Sequence, residues 1–169
     1  MLGKREDMIV HEEEPYNAEP TRAALAESVI TPVPTFYGRN HGPIPELDPQ
    51  AWRLHVDGLL DQPVALSLAD LQECYPPVTL VATLQCAGNR RQGLIEVRDI
   101  PGEDPWGPCA TSTARWTGVR LSDVLTGAGV GPDGRHVAFE APDVSEIAEP
   151  TQPYGASIPV SKALAGEVL

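Results

Sequence analysis

Proline is the feature that most restricts the fold of this chain. The sequence has 18 prolines in 169 residues, about twice the usual frequency of about 5%. A proline inside a helix removes a backbone donor and breaks the helix, so long helices are excluded over most of the chain. We expect short strands, short helices and long loops, which is an α+β organisation and not a regular βαβ alternation.

The charge excludes several classes of partner. Lys and Arg number 12 against 24 Asp and Glu, which gives a net charge of −12 and a pI of about 4.6. A nucleic-acid binder needs a basic face, and an anionic membrane repels such a chain. No apolar run reaches the roughly 20 residues of a membrane span. We therefore expect neither nucleic acid nor membrane as partner.

The start of the chain and its cysteines predict a location. The first residues contain no apolar signal segment, and the three cysteines at 74, 86 and 109 form neither a disulfide framework nor a zinc pair. Both features predict a reducing cytoplasm.

Local patterns predict short elements along the chain. Residues 1–20 are predicted to be a polar, solvated arm, and residues 92–111 a loop. Strands are predicted over 52–56, 64–66, 78–84 and 136–140. The third is predicted to be buried on both faces because it is an apolar run rich in β-branched residues. Helices are predicted over 22–28, 68–74, 121–125 and 162–165, with caps at Thr21, Ser67, Ser122 and Ser161.

The first candidate for chemistry is Cys86, which follows the apolar segment 78–84. The loop in which it lies contains Gly88, and Arg90 and Arg91 come next. Cationic neighbours favour a thiolate, which is both a nucleophile and a ligand for soft metals. Guanidinium groups suit oxyanions. The alternatives are an inert buried cysteine and two arginines in unrelated salt bridges.

A second polar cluster, Arg39-Asn40-His41, lies in the Gly- and Pro-rich segment 37–45. Irregular loops rich in polar side chains are frequent functional sites, although a lone histidine is more often structural. No second Cys or His stands at zinc spacing from Cys86, so a metal held there would take most of its ligands from a cofactor.

Five stretches together resemble the molybdopterin domain of the sulfite oxidase family. They are EPYNAEPTRAAL, FYGRNHGPIP, TLQCAGNRR, STARWTGVRLSDVL and YGASIPVSKAL, in the order of the family and over residues 14–169. Nitrate reductases share RNHGP and CAGNRR, but EPYNAEP is closer to sulfite oxidases.

The resemblance implies a fold and its extent. The implied fold is the mixed-strand sulfite oxidase-type molybdopterin-binding fold, incomplete at the C-terminus. Residues 1–20 would be the arm, and residues 21–169 the N-terminal part of the oxidoreductase molybdopterin-binding domain. The phosphate-binding segment, the catalytic tyrosine and the dimerisation domain of the family lie outside this chain, as does a haem domain. A homodimer is expected only where that dimerisation domain is present.

The resemblance also implies roles for residues. Cys86 would ligate the molybdenum of a molybdopterin cofactor, and Arg39 and Arg91 would hold a sulfur oxyanion in the catalytic pocket. The cofactor-binding residues would be Tyr37, Gly38, Arg39, Asn40, His41, Cys86 and Asp143. The implied reaction oxidises sulfite to sulfate and passes electrons to an unidentified external acceptor, as part of a longer chain. The alternatives are a nitrate reductase-like or other oxyanion molybdoenzyme, and a non-catalytic cofactor-binding fragment.

Overall fold

The secondary structure consists of short strands and short helices. The computed structural model describes residues 3–145 and 149–169. The strands are β1 (Ile9–Glu12), β2 (Asn17–Glu19), β3 (Leu54–Val56), β4 (Val64–Leu66), β5 (Pro77–Gln85), β6 (Thr111–Val119), β7 (His136–Ser145) and β8 (Gln152–Pro159). The helices are α1 (Arg22–Ala26), α2 (Leu68–Cys74), α3 (Arg91–Ile95), α4 (Leu121–Gly127) and α5 (Val160–Ala163), with a 3₁₀ turn at Val33–Thr35. The combination of helices and sheets agrees with the α+β prediction.

The strands pair two by two: β1 with β2, β3 with β4, β5 with β6, and β7 with β8. The β1–β2 and β3–β4 pairs are antiparallel. The finer expectations of a mixed-strand sheet and of incompleteness at the C-terminus stay predictions.

The chain divides into two units. The first unit comprises Met1–Ile44, Val81–Arg115 and Asp143–Gln152. Its core contains Ala18, Ala24, Trp106 and Ala110, which are all at most 2% exposed. All residues that the sequence analysis selected as candidate site residues belong to this unit.

The second unit comprises Pro45–Leu80, Trp116–Pro142 and Pro153–Leu169. It contains the β3–β4 hairpin, α2 and α4, and α4 buries Val124 and Leu125. Helix α2 begins as predicted, because the Ser67 hydroxyl accepts from the backbone of Asp70 and the Asp70 carboxylate accepts from the backbone of Ser67.

Residues 1–20 were predicted to be a solvated arm, and this is wrong for part of the segment. Strands β1 and β2 form a hairpin, and residues 17–20 are buried. The prediction of an exposed arm rested on the acidic residues at 12–14. The carboxylate of Glu19, in the same segment, is nevertheless buried, and this is tolerated because backbone N–H groups bind both of its oxygens. The separation of this arm from a domain over 21–169 stays a prediction.

Strand β5 was predicted to be buried on both faces, and this is wrong. Its residues alternate between half-buried and exposed over most of its length, and Val81 is 53% exposed. Thr79 and Thr83 lie on the exposed side, where their hydroxyls hydrogen-bond those of Thr117 and Thr113 on β6. An apolar run interrupted by threonines therefore belongs to a half-buried strand.

Other differences concern the ends of elements. Helix α3 occupies residues that were expected to be a loop, and its N-cap Arg90 has a left-handed conformation with φ 70°. The N-cap position of α4 is Arg120 and not Ser122, and no side chain caps this helix. Helix α5 begins at Val160, two residues before the predicted start. Within the described residues, no helix has the length and hydropathy that crossing a membrane requires.

Candidate functional site

The loop 37–41 is fixed to strand β2 by its backbone. Gly38 and Ala18 exchange two backbone hydrogen bonds, of 3.0 and 2.9 Å. The backbone N–H of Asn40 donates to Asn17 Oδ1 at 2.6 Å, and Asn40 Nδ2 donates to the carbonyl oxygen of Tyr16 at 2.6 Å. This irregular loop, which the sequence selected by its polar residues, is thus held in one position.

Arg39 and His41 face a cavity of about 680 Å³ in the first unit, whose lining also includes Asn40, His11 and Ser145. The Arg39 guanidinium donates to the Asn40 carbonyl oxygen, and its Nη2 lies 3.3 Å from His41 Nδ1. In the part of the chain that the structure describes, no carboxylate pairs with Arg39. Glu12, Glu103 and Asp104 line the same cavity, so an anion there would meet the unpaired charge of Arg39 within a partly acidic lining.

Cys86 stands at the start of a tight turn after β5. Its backbone N–H donates to the Ala110 carbonyl oxygen at 2.9 Å, and the Gly88 N–H donates to its Sγ at 3.4 Å. The thiol is free and half-buried. Burial raises the pKa of the Tyr37 hydroxyl, and the nearby Cys86 thiolate raises it further. Cys86 and Tyr37 are therefore close enough to interact, although neither is among the residues that line the cavity with Arg39.

Arg91 lies over Gly88 and is already paired. A Cβ built on Gly88 would lie 2.7 Å from Arg91 Nη2. Arg91 Nη1 donates to the Asp104 carbonyl oxygen at 3.0 Å and forms an ion pair with Glu103 Oε2 at 2.8 Å. Arg91 is not among the residues that line the cavity with Arg39. Its role in holding an oxyanion stays a prediction.

Asp143 is half-buried on β7, near the end of the loop. A Cβ on Gly42 would lie 2.5 Å from the carbonyl oxygen of Val144, so only a glycine lets β7 approach the loop so closely. This contact brings the segment of Asp143 beside His41. The cofactor-binding role of Asp143 also stays a prediction.

Two buried side chains near Cys86 escaped the sequence analysis. Trp106 is fully buried, and its Nε1 has no hydrogen-bond partner among the described residues. Its ring packs edge-on against His11, with ring centroids 4.7 Å apart. Glu19 is 1% exposed, and His11 Nε2 lies 2.9 Å from its Oε1. For Trp106, the sequence offered one signal, an aromatic residue within a Gly- and Pro-rich segment. For Glu19 it offered none.

The groups that could hold a ligand are the Cys86 thiol, which suits a soft metal, and the Arg39 guanidinium, which suits an anion. Among the described residues, no group of three His, Cys, Asp or Glu side chains could hold a metal ion. A metal bound by Cys86 would therefore need its other ligands from a bound group.

Comparisons with known proteins give consistent similarities. A family model described as "Oxidoreductase molybdopterin binding domain" matches residues 41–169. The chain is 46% identical over 159 residues to the sulfite oxidase of Gallus gallus, covering 92% of this chain and 34% of that protein. It is 43% identical over 129 residues to the nitrate reductase [NAD(P)H] of Hordeum vulgare, covering 75% of this chain and 14% of that protein.

A solved structure is also similar. The sulfane dehydrogenase SoxCD from Paracoccus pantotrophus matches with a TM-score of 0.65 and 30% sequence identity, over 82% of this chain and 33% of that one. The chain thus spans about a third of the length of the sulfite oxidase of Gallus gallus.

Proposed function

This chain belongs to the oxidoreductase molybdopterin binding domain family, and from this premise we propose that it holds a molybdenum–molybdopterin cofactor. We further propose that, as part of a longer chain, it takes part in the oxidation of sulfite to sulfate. The observation that carries the proposal is the free, half-buried Cys86 thiol beside Tyr37, in the same unit as the Arg39 loop.

The residues around Cys86 fit such a cofactor. The thiolate is a soft ligand that suits a thiophilic metal. Asn40 and His41 add polar atoms on the wall of the cavity.

The bound cofactor would supply the two-electron redox chemistry, as redox cofactors do in general. The chain's own contribution is electrostatic. Arg39 lies at the cavity, has no carboxylate partner among the described residues, and would attract and orient a small oxyanion. The chain as a whole repels anions, since its net charge is −12. The pKa of the half-buried Tyr37 hydroxyl is raised by burial; since a tyrosine is protonated at neutral pH in any case, this hydroxyl can serve as a hydrogen-bond donor there.

A second candidate is reduction of nitrate or turnover of another oxyanion. The 43% identity to a nitrate reductase supports this alternative, but the identity to a sulfite oxidase is higher and covers more of the chain. The two differ in the direction of electron flow, so assays of sulfite oxidation and nitrate reduction on the same preparation separate them.

The test is the molybdenum and pterin content of the chain after production in cells that synthesise the cofactor. We expect molybdenum in the unchanged chain and its loss in Cys86→Ser, since a hydroxyl is a poor ligand for a soft metal. Cys74→Ser is the matched control, because Cys74 is an exposed free cysteine in the second unit. Equal molybdenum in the Cys86→Ser and Cys74→Ser variants would refute the ligand role of Cys86.

Three further points are proposals of the same kind: an external electron acceptor, a homodimer formed through a dimerisation domain outside this chain, and a cytoplasmic location. The three free cysteines support a reducing compartment. Fractionation of the source cells tests the cytoplasmic location, and finding the protein outside the cytoplasmic fraction would contradict it.

A further inference from the structure

Glu19 is a buried carboxylate that binds a distant backbone segment. It is 1% exposed. Its Oε1 accepts from the Gly107 N–H at 2.5 Å and its Oε2 from the Cys109 N–H at 2.8 Å. His11 Nε2 lies 2.9 Å from Oε1. Both oxygens are therefore used, and hydrogen bonds to a charged acceptor are about twice as strong as neutral ones.

The segment that Glu19 binds, residues 106–110, in turn holds the turn that carries Cys86. Four hydrogen bonds join the two. The carbonyl oxygens of Ala110, Gly107 and Trp106 accept from the backbone N–H groups of Cys86, Arg90 and Gln92, at 2.9, 2.8 and 3.0 Å. The Ala110 N–H donates to Asn89 Oδ1 at 3.1 Å. The position of Cys86 thus depends on the position of 106–110.

The residues just before Glu19 hold the other half of the site. Ala18 pairs with Gly38, and Asn17 and Tyr16 bind Asn40. The segment 16–19 is consequently bonded to the Arg39 loop through residues 16–18 and to the Cys86 turn through Glu19 and 106–110. No other carboxylate in the described residues makes such a bond to 106–110.

We propose that Glu19 is a positioning residue: by binding the backbone of Gly107 and Cys109, it sets the Cys86 turn relative to the Arg39 loop. The ligand roles of Cys86 and Arg39 rest on the proposed function, but the link from Glu19 to the turn does not. A carboxylate suits this task because it accepts two backbone N–H bonds at once, whereas glutamine has one acceptor oxygen and turns a donor toward the other N–H.

The test is amide hydrogen exchange, read by mass spectrometry, on the chain and on Glu19→Gln. In the variant we expect exchange in residues 86–92 to be at least about tenfold faster, with the same direction of change at 107–109, because local opening requires fewer bonds to break. The segment 67–74 in the second unit should keep its rate. Glu13→Gln is the matched control, since it removes the same charge from an exposed side chain of the same hairpin.

Two results would overturn the proposal. Faster exchange at 107–109 with no change at 86–92 would show that Glu19 holds only its own contact segment. Faster exchange everywhere, 67–74 included, would show a general structural role. If Glu19→Gln does not fold, hydrogen exchange of the unchanged chain tests the proposal instead. If the two segments are linked, the amides of 107–109 and of 86–92 open with the same free energy. Different free energies of opening for the two segments would refute the link.

The result is independent of the cofactor. An unchanged chain that takes up no molybdenum would contradict the proposed function and leave the exchange result standing. A chain that binds molybdenum, with Glu19→Gln unaltered in exchange at 86–92, would contradict the positioning role alone.

Discussion

Gly88 gives the sharpest test of the geometry around Cys86, because an alanine there has no room. Its Cβ would lie 2.7 Å from Arg91 Nη2, 2.8 Å from Arg91 Cζ and 3.0 Å from Trp106 Cδ1. Ordinary contact begins at 3.4 Å, and Trp106 is fully buried and cannot move aside. The Arg91 guanidinium must therefore leave its position.

The cost of Gly88→Ala follows from the bonds that Arg91 makes. Moving the guanidinium sacrifices its bond to the Asp104 carbonyl oxygen, worth about 1 kcal/mol. It also breaks the ion pair with the exposed Glu103, worth about 0.5–1 kcal/mol because solvent screens it. Residual crowding against Trp106 adds a further cost of about 1 kcal/mol. Alanine recovers about 0.4–1 kcal/mol through the unfolded chain, so the net loss is about 1–3 kcal/mol.

Gly93→Ala is the matched control in the adjoining helix α3. A Cβ at Gly93 meets nothing within 4 Å, and the residue lies inside the helix. Alanine in a helix interior is favoured over glycine by about 0.5–1 kcal/mol. We therefore expect Gly93→Ala to stabilise the chain while Gly88→Ala destabilises it.

Urea unfolding, followed by circular dichroism and tryptophan fluorescence, measures both free energies of unfolding if the dependence on urea is unchanged. Combining Gly88→Ala with Arg91→Ala should cost less than the two separate losses, because the second change removes the obstructing group. If Gly88→Ala were as stable as Gly93→Ala, Arg91 would not lie over Gly88, and the description of the site would be wrong.

Other predictions concern proton binding and helix capping. Cys86→Ala should lower the pKa of Tyr37, because the thiolate charge raises it; titration of tyrosinate absorbance measures this, and an unchanged pKa would separate the two residues. Ser67→Ala and Thr21→Ala should each cost about 1 kcal/mol of the free energy of unfolding, since each hydroxyl caps a helix; urea unfolding at neutral pH measures both. The hydrogen bonds from Ser67 lower the pKa of Asp70 below its ordinary value, so this contribution is present above the ordinary pKa and is lost as the pH falls through the lowered one. Urea unfolding at descending pH should therefore show the stability difference between the chain and Ser67→Ala shrink in acid, and a constant difference would contradict the role of the Asp70 carboxylate.

The parts of the fold that sequence reasoning found correctly are those with local causes. The caps at Thr21 and Ser67 each involve a backbone group three residues away, and this spacing is visible in the sequence. The helix α3 was missed because its start depends on the left-handed Arg90, a conformation that an arginine rarely adopts and that no local pattern indicates.

The candidate site also contains residues that local sequence indicates and residues that depend on contacts distant in the chain. The chemistry of Cys86 and of the loop 37–41 is carried by residue types, so the sequence indicated both. Glu19 was missed because its partners lie 88 and 90 residues further along the chain. In the sequence it is one acidic residue in an acidic segment, and only the fold gives it two backbone donors.

The two arginines that were predicted to share one role have different surroundings. Arg91 is paired with Glu103 and bonded to the Asp104 carbonyl oxygen, so an anion would have to compete with a carboxylate for its charge. Arg39 makes its bonds to a carbonyl oxygen and a histidine of its own loop. Among the described residues no carboxylate forms an ion pair with it, although Glu12, Glu103 and Asp104 line the same cavity. For an oxyanion bound at this cavity, we therefore propose that Arg39 contributes more than Arg91, because an anion at Arg91 would have to displace a carboxylate. Arg91 then acts mainly on the shape of the Cys86 turn, which it covers at Gly88.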